Sequence, residues 1–142
     1  MTALLVFYGL TALAGHVAEP LAVSPAHEAA PAEQAIGAHW LELADCESGS
    51  WDADGQPIPG TARWDYGRPG GFVHDGFERY EGGLNFDPDT WTWGAGALGH
   101  ADAYPHAYQA PPHVQVEVGE WVQERQGWGA WPVCSRMIGL RP

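Results

Sequence analysis

Along residues 36–47 the apolar positions recur with a helical period. With Ile36 as the origin of a helical wheel, Trp40, Leu43 and Ala44 project within about 80° of it, which predicts a helix with one buried face. Ser48-Gly49 ends that helix, the glycine at about the C-cap. The rhythm is then lost. Residues 50–80 are rich in Gly, Pro and Asp with aromatic punctuation. Within and just beyond them, residues 63–66 and 77–86 are expected to pair as short antiparallel strands, with Gly70-Gly71 and Gly82-Gly83 at bends. A short helix is predicted to open at Asp87 as N-cap and Pro88 as first residue, and residues 94–110 read as loop. Pro111-Pro112 start a further helix that carries Val114, Val118, Trp121, Val122 and Arg125 at helical spacing and ends near Gln126-Gly127. Val114, Val116 and Val118 would also suit a strand and Gly119 weakens a helix; the longer helical run decides the assignment.

Ahead of this pattern, residues 3–14 are apolar, too short to span a bilayer comfortably, and end in an A-x-A pattern at Ala12 and Ala14. Residues 1–14 therefore read as a signal or membrane-targeting segment, cleaved or uncleaved, although no Lys or Arg precedes the apolar run; a buried N-terminal helix is the alternative. Residues 15–35 are rich in Ala, Pro and Glu and read as a linker. Residues 36–142 make one domain with room for one modest core and no membrane span of its own.

Charge narrows the partners. Lys and Arg number 6 against 18 Asp and Glu, a net charge of −12. No basic stripe is available to follow a phosphate backbone, so nucleic acid is excluded as a partner. The basic residues are all arginine, and Asn85 is the single asparagine. Cys46 and Cys134 show no metal-binding or redox spacing; in an exported chain a bridge between them is the natural reading, and a loop of that length contributes ~4–5 kcal/mol in the chain-entropy model. His100, Asp102, His106 and His113 follow no metal-ligand spacing, and residues 52–55, Asp-Ala-Asp-Gly, lack the later ligands of a calcium loop and read as a turn. No metal or other cofactor is expected.

Glu47 stands out because it falls about 20° from Ile36, inside the apolar stripe, and in the last turn of its helix, where the dipole disfavours an anion. It is either a solvated acid on a frayed turn or a carboxylic acid made to hold its proton. With 43–51, Leu-Ala-Asp-Cys-Glu-Ser-Gly-Ser-Trp, go two further blocks in order: 80–91, Tyr-Glu-Gly-Gly-Leu-Asn-Phe-Asp-Pro-Asp-Thr-Trp, and 126–140, from Gln-Gly-Trp-Gly-Ala-Trp through Cys134 to Leu140. Together they resemble the catalytic domain of resuscitation-promoting factors and related transglycosylase-like proteins, over about residues 36–142.

That resemblance implies a small lysozyme-like fold acting on peptidoglycan, with Glu47 as the catalytic glutamate and a Cys46–Cys134 disulfide. It places Asn85, Thr90 and Trp91 at substrate-binding positions. In this chain Asn85 stands where the family has glutamine, one methylene longer, and residues 52–79 are longer than the usual connection, a loop insertion that would lid the cleft, bind a wall component or play no catalytic part. Glycosidic cleavage needs an acid still protonated near neutral pH, which agrees with the setting of Glu47. A hydrolase normally adds a second carboxylate. Glu81 is the first candidate, with Asp52, Asp65 and Asp75 behind it. A lytic transglycosylase needs none, because the muramyl C6 hydroxyl attacks in place of water.

The 8 tryptophans exceed what one small core needs. Trp91 is expected beside the sugar, Trp40 in the core, and Trp128 and Trp131 around the disulfide; Trp51, Trp64 and Trp93 divide equally between core and cleft. The expectation is an α+β, mostly helical, lysozyme-like domain with a short β-hairpin and one disulfide. It would be secreted or wall-associated, or belong to a phage virion or lysis system, and would be monomeric unless built into a virion. It would cleave the β-1,4 bond between N-acetylmuramic acid and N-acetylglucosamine in peptidoglycan glycan strands. The alternative is a non-catalytic glycan-binding or virion structural module of the same fold; a metal-dependent wall hydrolase would betray itself by chelator sensitivity.

Overall fold

The computed structural model describes residues 35–74, 76 and 78–140. The targeting segment expected over 1–14, the linker up to residue 34 and the candidate acid Asp75 lie outside them. Helix α1 (Ala38–Ser48) buries Trp40, Leu43 and Ala44, the residues that form its apolar stripe, and stops at Gly49. Helix α2 (Pro88–Leu98) opens as expected: the Asp87 carboxylate accepts from the Asp89 N–H at 3.0 Å, and its other oxygen pairs with Arg79.

Helix α2 runs on through residues 94–98, where a loop was expected. Two glycines in that stretch are poor helix formers, but Ala95 is completely buried in the core and Leu98 packs against it. Burial outweighs propensity here. Gly99, at φ 78°, then ends the helix by donating its N–H back to the carbonyls of Ala95 and Gly96.

Helix α3 (Pro112–Gln126) answers the ambiguity of the valine alternation, because it is covered on more than one face. Val114, Val116, Val118 and Val122 are all buried. Gly119 is required where α3 meets α1 and the 81–86 turn: a Cβ there would come within 2.8 Å of Leu84 Cδ1 and 3.2 Å of the Trp40 ring. After a 3-10 turn over Gly127–Ala130, the short helix α4 (Cys134–Met137) returns to α1 through the Cys46–Cys134 disulfide, with Cα atoms 5.7 Å apart.

The β component is slight. Among the described residues it consists of two isolated antiparallel bridges, Trp51 with Pro57 and Glu81 with Phe86. Among the described residues, 63–66 and 78–86 do not pair as strands; a hydrogen bond from the Gly82 N–H to the Tyr66 carbonyl, 2.8 Å, joins them. Positive φ at Gly67 and Gly82 turns the chain away from extended pairing at both places.

The core gathers Trp40, Leu43, Leu84, Phe86, Trp91 and Trp131 around α3, each worth roughly 2 kcal/mol of apolar burial. Trp40, Trp128 and Trp131 form one aromatic cluster, with Trp40 5.2 Å from Trp128 and 5.6 Å from Trp131 between ring centroids. The result is the mostly helical, singly bridged domain expected of a small lysozyme-like fold.

Candidate active site

The last turn of α1 is held from three sides. Cys46 is bonded to Cys134. Asp45, only 6% exposed, accepts from the N–H groups of Gly60, Thr61 and Ala62, each at 2.8 Å. Ser48 Oγ donates to the Ala44 carbonyl at 3.1 Å and accepts from the Arg63 N–H at 3.0 Å. The first part of the 52–79 segment is thus tied to the residues either side of Glu47.

The second support is the turn from Glu81 to Phe86, closed by reciprocal backbone bonds of 2.9 and 2.8 Å. It is anchored to α3 by Gln115, which is fully buried. The Gln115 carbonyl oxygen accepts from the Gly83 N–H at 2.8 Å, while its amide donates to the carbonyls of Trp64 and Ala110 at 2.9 and 2.8 Å. Gly83 sits flat on Trp64, where any Cβ would fall 2.3 Å from the ring. This turn presents Asn85 with φ 55°, a left-handed conformation that asparagine tolerates better than most residues. Asn85 Nδ2 donates to the Glu47 backbone carbonyl at 3.0 Å, satisfying one of the acceptors that a helix leaves open at its C-terminal end.

Between these supports opens a cavity of about 530 Å³. Its lining comes from the end of α1 (Cys46, Glu47), from Trp51, His74 and Tyr80, from Asn85, and from the 130–134 segment. Glu47 is the only carboxylate among these lining residues. Burial pushes its carboxyl up from the ordinary 4.5 to about 7, and hydrogen bonding from the Asn85 side chain pulls it partly back. An acid in that range is half protonated near neutrality and can donate a proton in one step and accept one in the next.

Of the other acids singled out in the sequence, the three that the structure describes are engaged elsewhere. The Glu81 carboxylate is turned to the loop before α3, where its oxygens meet His106 Nδ1 at 2.9 Å and the Ala107 N–H at 3.1 Å. Asp52 closes its own turn by accepting from the Asp54 and Gln56 N–H groups, and Asp65 lies exposed beside Arg68. Thr90 and Trp91 stand on α2, and neither lines the cavity. Trp91, expected beside a sugar, is 1% exposed, packs on Phe86 and donates its indole N–H to the Tyr104 carbonyl. Trp51 does line the cavity and is 40% exposed, whereas Trp64 backs the Gly82-Gly83 turn and Trp93 is exposed against Trp121. His100 pairs with Glu117 at 2.9 Å.

Sequence reasoning passed over Asp45, Gln115, His74 and Tyr80. For Gln115 the signal was there, a lone amide in a run of valines. For Asp45 it was not, because it lies about 180° from Ile36, on the face of α1 that the wheel assigns to solvent.

The family model for the transglycosylase-like domain matches residues 74–134, a stretch that takes in Asn85, Thr90, Trp91 and Cys134 and leaves Cys46 and Glu47 ahead of it. The resuscitation-promoting factor Rpf of Micrococcus luteus is 36% identical over 111 residues, covering 78% of this chain and 38% of that protein. Rpf1 of Corynebacterium glutamicum is 34% identical over 118 residues, covering 83% of this chain and 46% of that protein. RpfE of Mycobacterium tuberculosis is 32% identical over 112 residues, covering 79% and 49%. The chain thus spans less than half the length of these relatives.

Proposed function

Because the chain carries a transglycosylase-like domain of the resuscitation-promoting-factor type, we propose that it cleaves peptidoglycan glycan strands at the β-1,4 bond between N-acetylmuramic acid and N-acetylglucosamine. The observation that carries this reading is a single raised carboxylic acid, Glu47, among the lining residues of a cavity sized for a sugar. The protonated carboxyl donates to the glycosidic oxygen as the bond to the muramyl anomeric carbon breaks. The resulting carboxylate then takes the proton from the muramyl C6 hydroxyl, whose oxygen bonds to that carbon and closes a 1,6-anhydro ring. Glu47 ends the cycle protonated again, and no water is consumed. No metal or other cofactor enters this route, and one carboxylate serves both halves of it.

Such a substrate places the working protein outside the cell membrane, secreted or held at the wall; a phage virion or lysis system is the other setting that gives access to it. Among the described residues no helix is long and apolar enough to cross a membrane. The test is incubation of purified peptidoglycan with the full chain and with Glu47→Gln, followed by mass analysis of the soluble fragments. Release of muropeptides by the parent and loss of nearly all release in the variant is the expected result. Binding without release by the parent would instead favour a non-catalytic glycan-binding module.

A further inference from the structure

Among the described residues, three buried side-chain polar atoms have no hydrogen-bond partner: Arg63 Nε, His74 Nε2 and Asn85 Oδ1. Two of these residues, His74 and Asn85, line the cavity that contains Glu47. Buried polar atoms are nearly always satisfied, and an exception at a binding cavity points to a partner that arrives with the ligand.

His74 is held in place by contacts that leave its Nε2 free. Its backbone N–H donates to the hydroxyl oxygen of Tyr66 at 2.7 Å, and Tyr66 is itself 1% exposed. The imidazole meets Phe72 edge-on at 4.9 Å and lies 6.0 Å from the Tyr66 ring. Phe72 is in turn covered by the Arg63 guanidinium at 4.1 Å. A ring fixed on two aromatic neighbours, with an unmet nitrogen, loses little freedom on binding.

The geometry points to His74 as a substrate-positioning residue: its Nε2 hydrogen-bonds a hydroxyl or acetamido group of the N-acetylhexosamine lying against Glu47. This rests on the glycan substrate proposed above. It gives the 52–79 segment a part in the site, since Asp45 and Ser48 tie its first half to α1 and His74 brings its second half to the substrate. A neutral imidazole serves either partner, accepting from a hydroxyl or donating to an acetamido carbonyl.

Two substitutions separate the nitrogen from the ring. His74→Phe keeps the packing on Tyr66 and Phe72 and removes Nε2; His74→Gln gives up the ring and sets a polar amide near the position of Nε2. Each is made in the full chain and assayed on solubilised peptidoglycan strands, with sedimentation binding measured in a Glu47→Gln background and thermal melts confirming the fold. We expect His74→Phe to raise KM and weaken binding about tenfold with kcat nearly unchanged, and His74→Gln to stay within about threefold of the parent. Parental KM in His74→Phe overturns the proposal. So does equal impairment of both variants, because the ring rather than the nitrogen would then matter. If the chain with His74 intact neither binds nor cleaves the strands, the glycan substrate itself falls, and this assignment with it.

Discussion

The side-chain amide of Asn85 donates to the backbone carbonyl of Glu47 across 3.0 Å, so a left-handed turn residue closes the end of the helix that carries the proposed acid. The same side chain opposes the effect of burial on the Glu47 carboxyl. In the resemblance to resuscitation-promoting factors, Asn85 occupies a substrate-contacting position. Here one of the two N–H groups of its amide is given to the Glu47 carbonyl, so it acts as a positioning residue.

Asn85→Gly isolates that role, because glycine accepts φ 55° without strain while the amide is lost. With the amide gone, burial is unopposed and the Glu47 carboxyl rises further. Activity that requires the protonated acid should therefore persist to higher pH, and the alkaline limb of the pH–rate profile should move upward. Looser placement of the acid should lower kcat about tenfold. A pH–rate profile superimposable on the parent's would refute the coupling.

Glu47 also makes a prediction about stability. Its carboxyl titrates near 4.5 when unfolded and at about 7 when folded, so between those values the folded state binds more protons than the unfolded one. The contribution of Glu47 to stability must then fall as pH rises from about 4.5 to about 7 and stay level above that, a cost of about 3 kcal/mol. Glu47→Gln escapes this cost. Denaturant titrations should find the variant more stable than the parent at pH 8, with the difference closing towards pH 4. A variant less stable than the parent at pH 8 would mean that the carboxylate is not buried against its preference.

Much of this was legible in the chain because it depends on local chemistry. The stripe of α1, the proline-led starts of α2 and α3 and the position of Glu47 all derive from residues a few places apart. What escaped prediction depends on packing between distant segments. Asp45 reads as solvent-facing until the 60–62 backbone closes over it and supplies its three donors. Trp91 matched a substrate position by resemblance, yet its indole is consumed by Phe86 and the Tyr104 carbonyl. Residues 94–98 looked too glycine-rich for a helix, and only the buried face of Ala95 makes them one. The pairing of 63–66 with 77–86 did not form because Gly67, just past the first segment, and Gly82, inside the second, turn the chain at positive φ, and the β pairing is confined to Glu81 with Phe86.

The Cys46–Cys134 disulfide closes a loop of 88 residues and lies beside Glu47, both cysteines lining the cavity. In the chain-entropy model such a loop contributes ~4–5 kcal/mol. Replacing both cysteines by serine should lower the melting temperature by roughly 15 °C or more. Turnover at temperatures where the variant remains folded should also drop, because the last turn of α1 loses a tether. Calorimetry and fragment release check the two effects separately; turnover unchanged in the folded variant would show that Asp45, Ser48 and Asn85 suffice to hold Glu47.

The chemistry of the product decides between two mechanisms. A hydrolase needs a second carboxylate across the cleft, roughly 5–9.5 Å from the acid, as nucleophile or as base for water. Glu81 was the first candidate, but its oxygens are engaged by His106 and Ala107, and it does not line the cavity. The acid whose position is open is Asp75, next in sequence to His74 and outside the described residues. With no partner acid among the described residues that line the cavity, the muramyl C6 hydroxyl is the best-placed attacker, being part of the same bound sugar. Fragments should then end in 1,6-anhydromuramic acid, lighter by one water than ordinary reducing ends. Asp75→Asn should keep turnover within a few-fold of the parent, and Glu81→Gln should lose stability, through weakened bonds to the 106–107 loop, more than activity. Reducing ends in the parent, together with loss of turnover in Asp75→Asn or Glu81→Gln, would replace the transglycosylase route by lysozyme-type hydrolysis and name the missing carboxylate.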